Sequence, residues 1–266
     1  MDKSSLTPEQ QIEYYLGKDR LPNVHWQPKI PHAWSIKPRQ GVLDIFNDTL
    51  HNTTVKLENI DYYFNNLGYR STFDYSIDEL KKQNIVLLLG DSDTSGRGVE
   101  FNDMYSTKMQ RLTDYCIVNL GVPGLSGDGM ARIGTKTILA LGSAVKHVCV
   151  LWPVQSLREF VSKNFESGVH TTSDHLPYTD WWDHIDWVSN NYNYQKNHNL
   201  IKSLSAQIGA SYHELIINRY DPNTAIKYNQ INNIFSELTP ESHTAIANYY
   251  LRKINNQPSL FQEMQS

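Results

Sequence analysis

Three short, uninterrupted apolar runs constrain this chain more than anything else in it: IVLLLG at 85–90, YCIVNLG at 115–121 and HVCVLW at 147–152. They lack the apolar–polar alternation of a half-exposed strand and are too short for a typical buried helix. Runs of this kind fit strands covered on both faces, as in a parallel sheet. Parallel strands need long crossovers, and the intervening stretches supply them. Residues 99–112 and 127–144 read as helices, the second with apolar positions at helical spacing in MARIGTKTILALGSA. Further on, 197–210 reads as a helix and SYHELII (211–217) as a fourth strand. The stretch 239–254 reads as a last helix, with Thr239 as N-cap and Pro240 in the first helical position. Strand and helix in alternation predict a doubly wound, mostly parallel sheet in a three-layer α/β/α arrangement, flavodoxin-like, with right-handed crossovers.

The 266 residues suffice for one large α/β domain with an appendage. Residues 1–80 read as an N-terminal extension packed on a main domain at 81–266. Within the extension, 1–20 begins as a helix and 21–40 is irregular, because Pro22, Pro28, Pro31 and Pro38 break it up. A strand is expected at LENIDYYF. The main domain is interrupted by a long aromatic insert at about 153–195, and a loop that long usually does something. Leaving the third strand, it should lie beside any site at the carboxyl edge of the sheet.

Composition removes several function classes. Net charge is −4, and Lys and Arg form no runs, so no nucleic-acid footprint is expected. No stretch is apolar enough to span a membrane, and the start MDKSSLTPEQQ has no secretory h-region. The expected location is the cytoplasm or a larger assembly. The two cysteines, Cys116 and Cys149, lie inside apolar runs and read as small buried hydrophobes. The acids and histidines of the insert, Asp174 to Asp186, lack metal-ligand spacing, so no metal is expected.

The chemistry concentrates at GDSDTSGRG, 90–98, where the first buried run ends. Ser92 follows a strand and precedes a helix, which puts it at the carboxyl edge of the sheet. Gly96 and Gly98 allow a sharp turn and close approach. The segment is not a phosphate-binding loop, since Arg97 follows Gly96 where Lys-Ser or Lys-Thr is required, and no G-x-G-x-x-G is present. In the insert, Trp181, Trp182 and Trp187 could stack on a sugar or line an acyl pocket, or else pin the insert to the body; Trp152, at the end of the third run, is a further candidate for substrate contact. His147 and His213 read as structural, and His198 as a capping or surface residue. His170 and His175 lie in the insert, where either could serve as a base.

GDSDTSGRG resembles the GDSxTxG opening of the SGNH, or GDSL-type, hydrolases. NNLGYRSTFDY (65–75) is similar to the N-x-x-G-[FY]-R segment ahead of that motif, and NLGVPG (119–124) to the family's N-x-G-x-x-G block. The resemblance implies an SGNH α/β/α fold and esterase or carbohydrate deacetylase activity on a small-molecule or glycan ester, without a cofactor. It implies Ser92 as nucleophile, the backbone N–H groups of Ser92 and Gly124 as an oxyanion hole, and Asp91 as a motif residue that is usually structural, with substrate contact as its other reading. The family's G-x-N block is replaced by LWPVQSLREF, which offers Gln155 as a third oxyanion donor. The D-x-x-H block is replaced by NNIFSELTPESHTAIA, in which His243 is the only histidine: it is either the expected base, one turn along and oriented by Glu237 or Glu241, or the match of a non-catalytic histidine that relatives carry inside that helix. A serine without a base is a weak nucleophile at neutral pH. Two readings follow: a serine hydrolase with a rearranged base, or the same fold serving as a binding or structural module.

Overall fold

The computed structural model describes residues 54–57, 60–65, 67, 69–122, 125–153, 158–161, 167–170, 187–216, 228–231 and 235–256. The helix and proline-rich stretch expected at 1–40 lie outside these, as do residues 171–186 of the insert.

At the centre is a four-stranded sheet built from β3 (Ile85–Leu89), β4 (Cys116–Asn119), β5 (Val145–Trp152) and β8 (Ser211–Ile216), in the order β4-β3-β5-β8. Every pairing is parallel. The chain leaves β3 for β4 on one side and reaches β5 on the other, so the winding reverses at β3. That makes the carboxyl end of β3 a topological switch point, where ligands of doubly wound sheets bind.

Both faces are covered. Leu87, Leu89, Val148 and Val150 face one apolar cluster, with residues of α4 (Gly127–Leu141) and α5 (Trp187–Gln207). Val86, Leu88, Cys149 and Leu151 face the other, with residues of α3 (Tyr105–Arg111) and α6 (Pro240–Ile254). All of β3 is solvent-inaccessible, which is why its sequence is apolar without alternation. Each such aliphatic side chain contributes about 1.5–3 kcal/mol of burial free energy. The doubly wound α/β/α arrangement read from the sequence is therefore present. Thr239 caps α6 by accepting the Ser242 N–H, with Pro240 in the first turn.

Some elements differ from the expectation. The helix expected at 99–112 is divided. One turn, α2 (Ser92–Ser95), follows β3, and after it come a 3₁₀ turn at Phe101–Asp103 and then α3. Left-handed Gly96 (φ 71°) and Gly98 (φ 79°) end α2, and extended Met104 (φ −59°, ψ 139°) restarts the helix in a new direction. Helix α5 begins at Trp187, ten residues before the expected start, so the end of the insert is helical. Around 57–64 there are two antiparallel strands, β1 (Thr54–Leu57) and β2 (Ile60–Tyr63), in place of one. The one-turn helix α1 (Ile77–Leu80) and the hairpins β6 (Arg158–Val161) with β7 (Ser167–His170) and β9 (Tyr228–Ile231) with β10 (Phe235–Leu238) were not anticipated. Tyr69, Tyr75 and Leu80 belong to the cluster under α4, so this part of the N-terminal region is built into the core.

Candidate active site

The turn after β3 admits little but its own sequence. A Cβ on Gly90 would fall 1.7 Å from Thr94 Oγ1 and 3.2 Å from the Leu151 carbonyl oxygen, so the strand can end here only on glycine. Asp91 caps α2, its carboxylate accepting from the Asp93 N–H at 3.1 Å. Asp91, Asp93, Thr94 and Ser95 are buried, and Ser92 is the half-buried residue among them. The turn thus leaves Ser92 its partly exposed residue at the switch point.

That turn is held from two directions. Arg70, 3% exposed, donates to the carbonyl oxygens of Gly96 and Val99, the latter at 2.8 Å, and lies over the Tyr62 ring at 4.0 Å. The Tyr62 hydroxyl accepts from the Gly98 N–H at 2.9 Å. Burial lowers the Arg70 guanidinium to about 10, against the opposing influence of Tyr62 and Glu100, and it stays charged at neutral pH. From the other side the Tyr105 hydroxyl donates to Thr94 Oγ1 at 3.0 Å, and Asn119 bonds to the Thr94 carbonyl.

His243 is placed differently from what a base for Ser92 would need. It is fully buried, stacked on Tyr105 with ring centroids 5.8 Å apart. Its Nδ1 accepts from the Tyr105 backbone N–H at 3.2 Å, capping α3, whose own N-cap residue provides no side-chain bond. A neutral ring accepting at Nδ1 carries its proton on Nε2, and Nε2 is buried without a hydrogen-bond partner. Neither nitrogen is therefore bonded to Ser92. Burial, followed by the charges of Arg70 and Lys108, lowers His243 to about 3, with Asp103 opposing. At neutral pH this imidazole is uncharged.

Trp152, expected at a pocket wall, is 5% exposed and packs edge-on against Tyr194. Its indole N–H donates to Glu214 Oε2 at 3.0 Å. The same oxygen is bonded by the Tyr194 hydroxyl at 2.9 Å, His198 Nδ1 at 2.8 Å and the Tyr212 hydroxyl at 3.2 Å. Burial raises the Glu214 pKa, but the bonds from Tyr194 and His198 outweigh it and hold the carboxyl below its usual range. His198 is thus neither a cap nor a surface residue, and Glu214 went unnoticed as a lone acid in SYHELII. His147 and His213 meet with Nδ1 and Nε2 3.1 Å apart, and burial, His147 and Lys253 lower His213 to about 4. Gly124, Gln155, Trp181 and Trp182 lie outside the described residues, as does His175. Among the described residues no helix is long and apolar enough to cross a membrane, and no His, Cys, Asp or Glu group of three or more is arranged to hold a metal ion.

No protein-family model and no curated protein matches this chain. Solved structures similar to it are lipolytic and esterase proteins. One is a member of the lipolytic G-D-S-L family from Veillonella parvula, 12% identical over 63% of this chain and 96% of that one, with a TM-score of 0.36. Another is an acetyl xylan esterase from Geobacillus stearothermophilus, 11% identical over 66% and 96%, TM-score 0.36. A third is a lipase/acylhydrolase from Enterococcus faecalis, 12% identical over 65% and 96%, TM-score 0.34.

Proposed function

We propose that this protein is a serine ester hydrolase of the SGNH type, acting on an ester or acetyl group of a small molecule or glycan. One observation carries the reading: Ser92 is the partly exposed residue of an otherwise buried turn, at the switch point of a doubly wound sheet. In this scheme Ser92 Oγ bonds to the carbonyl carbon and its proton passes to a base. The carbonyl C–O bond to the leaving group then breaks and the leaving oxygen takes up the proton. Water attacks the acyl-serine and releases the acid, restoring the hydroxyl. The backbone N–H groups of Ser92 and Gly124, with the Gln155 amide, are the proposed donors to the oxyanion, and Trp181 and Trp182 the proposed surroundings of the substrate, while the buried Asp91 and Trp152 support the site from behind. No metal or organic cofactor takes part.

Three histidines are candidates for the base. His243 serves only if its ring gives up the Tyr105 N–H and exchanges its tautomer. His170 and His175 of the insert are the other two to test. The tautomer of His243 favours a second reading, in which the fold is kept as a binding or structural module without turnover.

One probe separates the two. A hydrolase is labelled by a fluorophosphonate at Ser92 and turns over short p-nitrophenyl esters or acetylated sugars, and Ser92→Ala abolishes both. Equal behaviour of wild type and Ser92→Ala overturns the hydrolase and leaves the module. Alanine at His170, His175 and His243 in turn identifies the base as the variant that loses labelling while remaining folded.

A further inference from the structure

Asn119, the last residue of β4, is 4% exposed, and its side chain reaches across the sheet to the neighbouring turn. Its Nδ2 donates to the Thr94 carbonyl oxygen at 2.9 Å and to Ser106 Oγ at 3.2 Å, while Oδ1 accepts from the Gly121 N–H at 2.9 Å. One amide thus grips α2 with its donor end and the turn after β4 with its acceptor end. Nothing separates those two segments. A Cβ on Gly121 would lie 2.4 Å from the Ser95 nitrogen and 2.6 Å from the Thr94 carbonyl carbon. Next to it, the Val122 N–H donates to the Gly90 carbonyl oxygen at 3.2 Å.

We propose that Asn119 is a positioning residue: it sets the separation between the Ser92 turn and Gly121–Val122, the start of the NLGVPG stretch to which the proposed second oxyanion donor belongs. This rests on the hydrolase reading and adds to it a side chain that touches no substrate. Oxyanion donors work because they are fixed before charge develops, and a misplacement of about 1 Å can cost about 10²-fold in rate. A shorter or differently charged side chain cannot hold both segments. A carboxylate would keep the Gly121 bond but set negative charge against the Thr94 carbonyl with no donor to offer.

The test is Asn119→Asp, with Asn119→Ser as a second variant lacking the charge and Tyr75→Phe as control. The Tyr75 hydroxyl bonds to the backbone N–H and carbonyl oxygen of Asn119, at 3.0 Å and 3.3 Å, and not to its amide, so its removal weakens the strand end without cutting the bridge. At neutral pH, fluorophosphonate labelling of Asn119→Asp should slow about 10²-fold. On a short ester kcat should fall with KM within about twofold, because the lost interaction acts in the transition state. Acidification should recover part of the loss in Asn119→Asp alone, since the protonated carboxyl regains a donor. Asn119→Ser should lose labelling without that recovery, and Tyr75→Phe should lower Tm yet label like wild type. Labelling of Asn119→Asp and Asn119→Ser at the wild-type rate overturns the inference and leaves the hydrolase standing. So does equal slowing in Tyr75→Phe at equal loss of Tm. A wild type that is never labelled overturns the hydrolase reading, and the inference with it.

Discussion

His243 performs a structural task that depends on its being uncharged. Its Nδ1 can accept the Tyr105 N–H only while deprotonated, and it is buried beside cationic Arg70 and Lys108. Its folded pKa, about 3, is far below the ordinary value of 6.5. Below about pH 6.5 the unfolded chain takes up a proton that the folded chain refuses, so stability is full above that pH and falls as pH drops towards 3. Between pH 7 and pH 5 the cost from His243 is on the order of 2 kcal/mol. Urea midpoints at the two pH values should therefore differ, and His243→Gln should reduce the difference, whatever it does to stability at pH 7. A difference unchanged in the variant would show that His243 does not set the acid limit. The sequence marked His243 because it is the only histidine near the start of the last helix. It could not show that the bonding partner is a backbone N–H 138 positions earlier in the chain. Ser92 was legible for the opposite reason, since everything that places it is local: an apolar strand, then Gly90, a capping Asp91 and the glycines beyond.

Helix α5 shows how far an element can depart from its own propensity. Its first half, WVSNNYNYQK, is rich in asparagine and aromatics and reads as loop. It is helical because side chains on it grip two carboxylates. Asn193, Lys196 and Asn197 bond to Asp128 at the start of α4, and Tyr194 and His198 to Glu214 on β8. Its second half, with Ile201 and Leu204, docks by ordinary apolar packing and was read correctly. The two grips should differ in strength. Lys196 is half exposed, so Asp128→Asn should cost under about 1 kcal/mol. Glu214→Leu leaves the donors of Trp152, Tyr194, His198 and Tyr212 without their acceptor and should cost about 2–3 kcal/mol. Chemical denaturation of both variants checks the order, and hydrogen exchange in Glu214→Leu should rise first at 187–199. Helices α4 and α6 needed no such rescue, since periodicity and caps agreed with the tertiary contacts, and both were legible.

For the molecule as a whole, we expect the independent folding unit to begin further towards the N-terminus than residue 81. Tyr69 and Tyr75 belong to the core under α4, and Arg70 holds the loop that follows Ser92. A chain lacking residues 1–75 should lose cooperative unfolding and near-UV dichroism; a sharp urea transition in that truncation would refute this. The sheet order has one more consequence, and it concerns time. β3 is wholly apolar and lies between β4 and β5, yet β5 is complete only about sixty residues after β3 has been made. At ordinary synthesis rates that interval is roughly 3–12 s. For those seconds the β5 edge of IVLLL stays unpaired, and for the first half of them, until β4 is made, both edges are open. The strand that forms the centre of the finished sheet is thus the part of the newborn chain most in need of a chaperone.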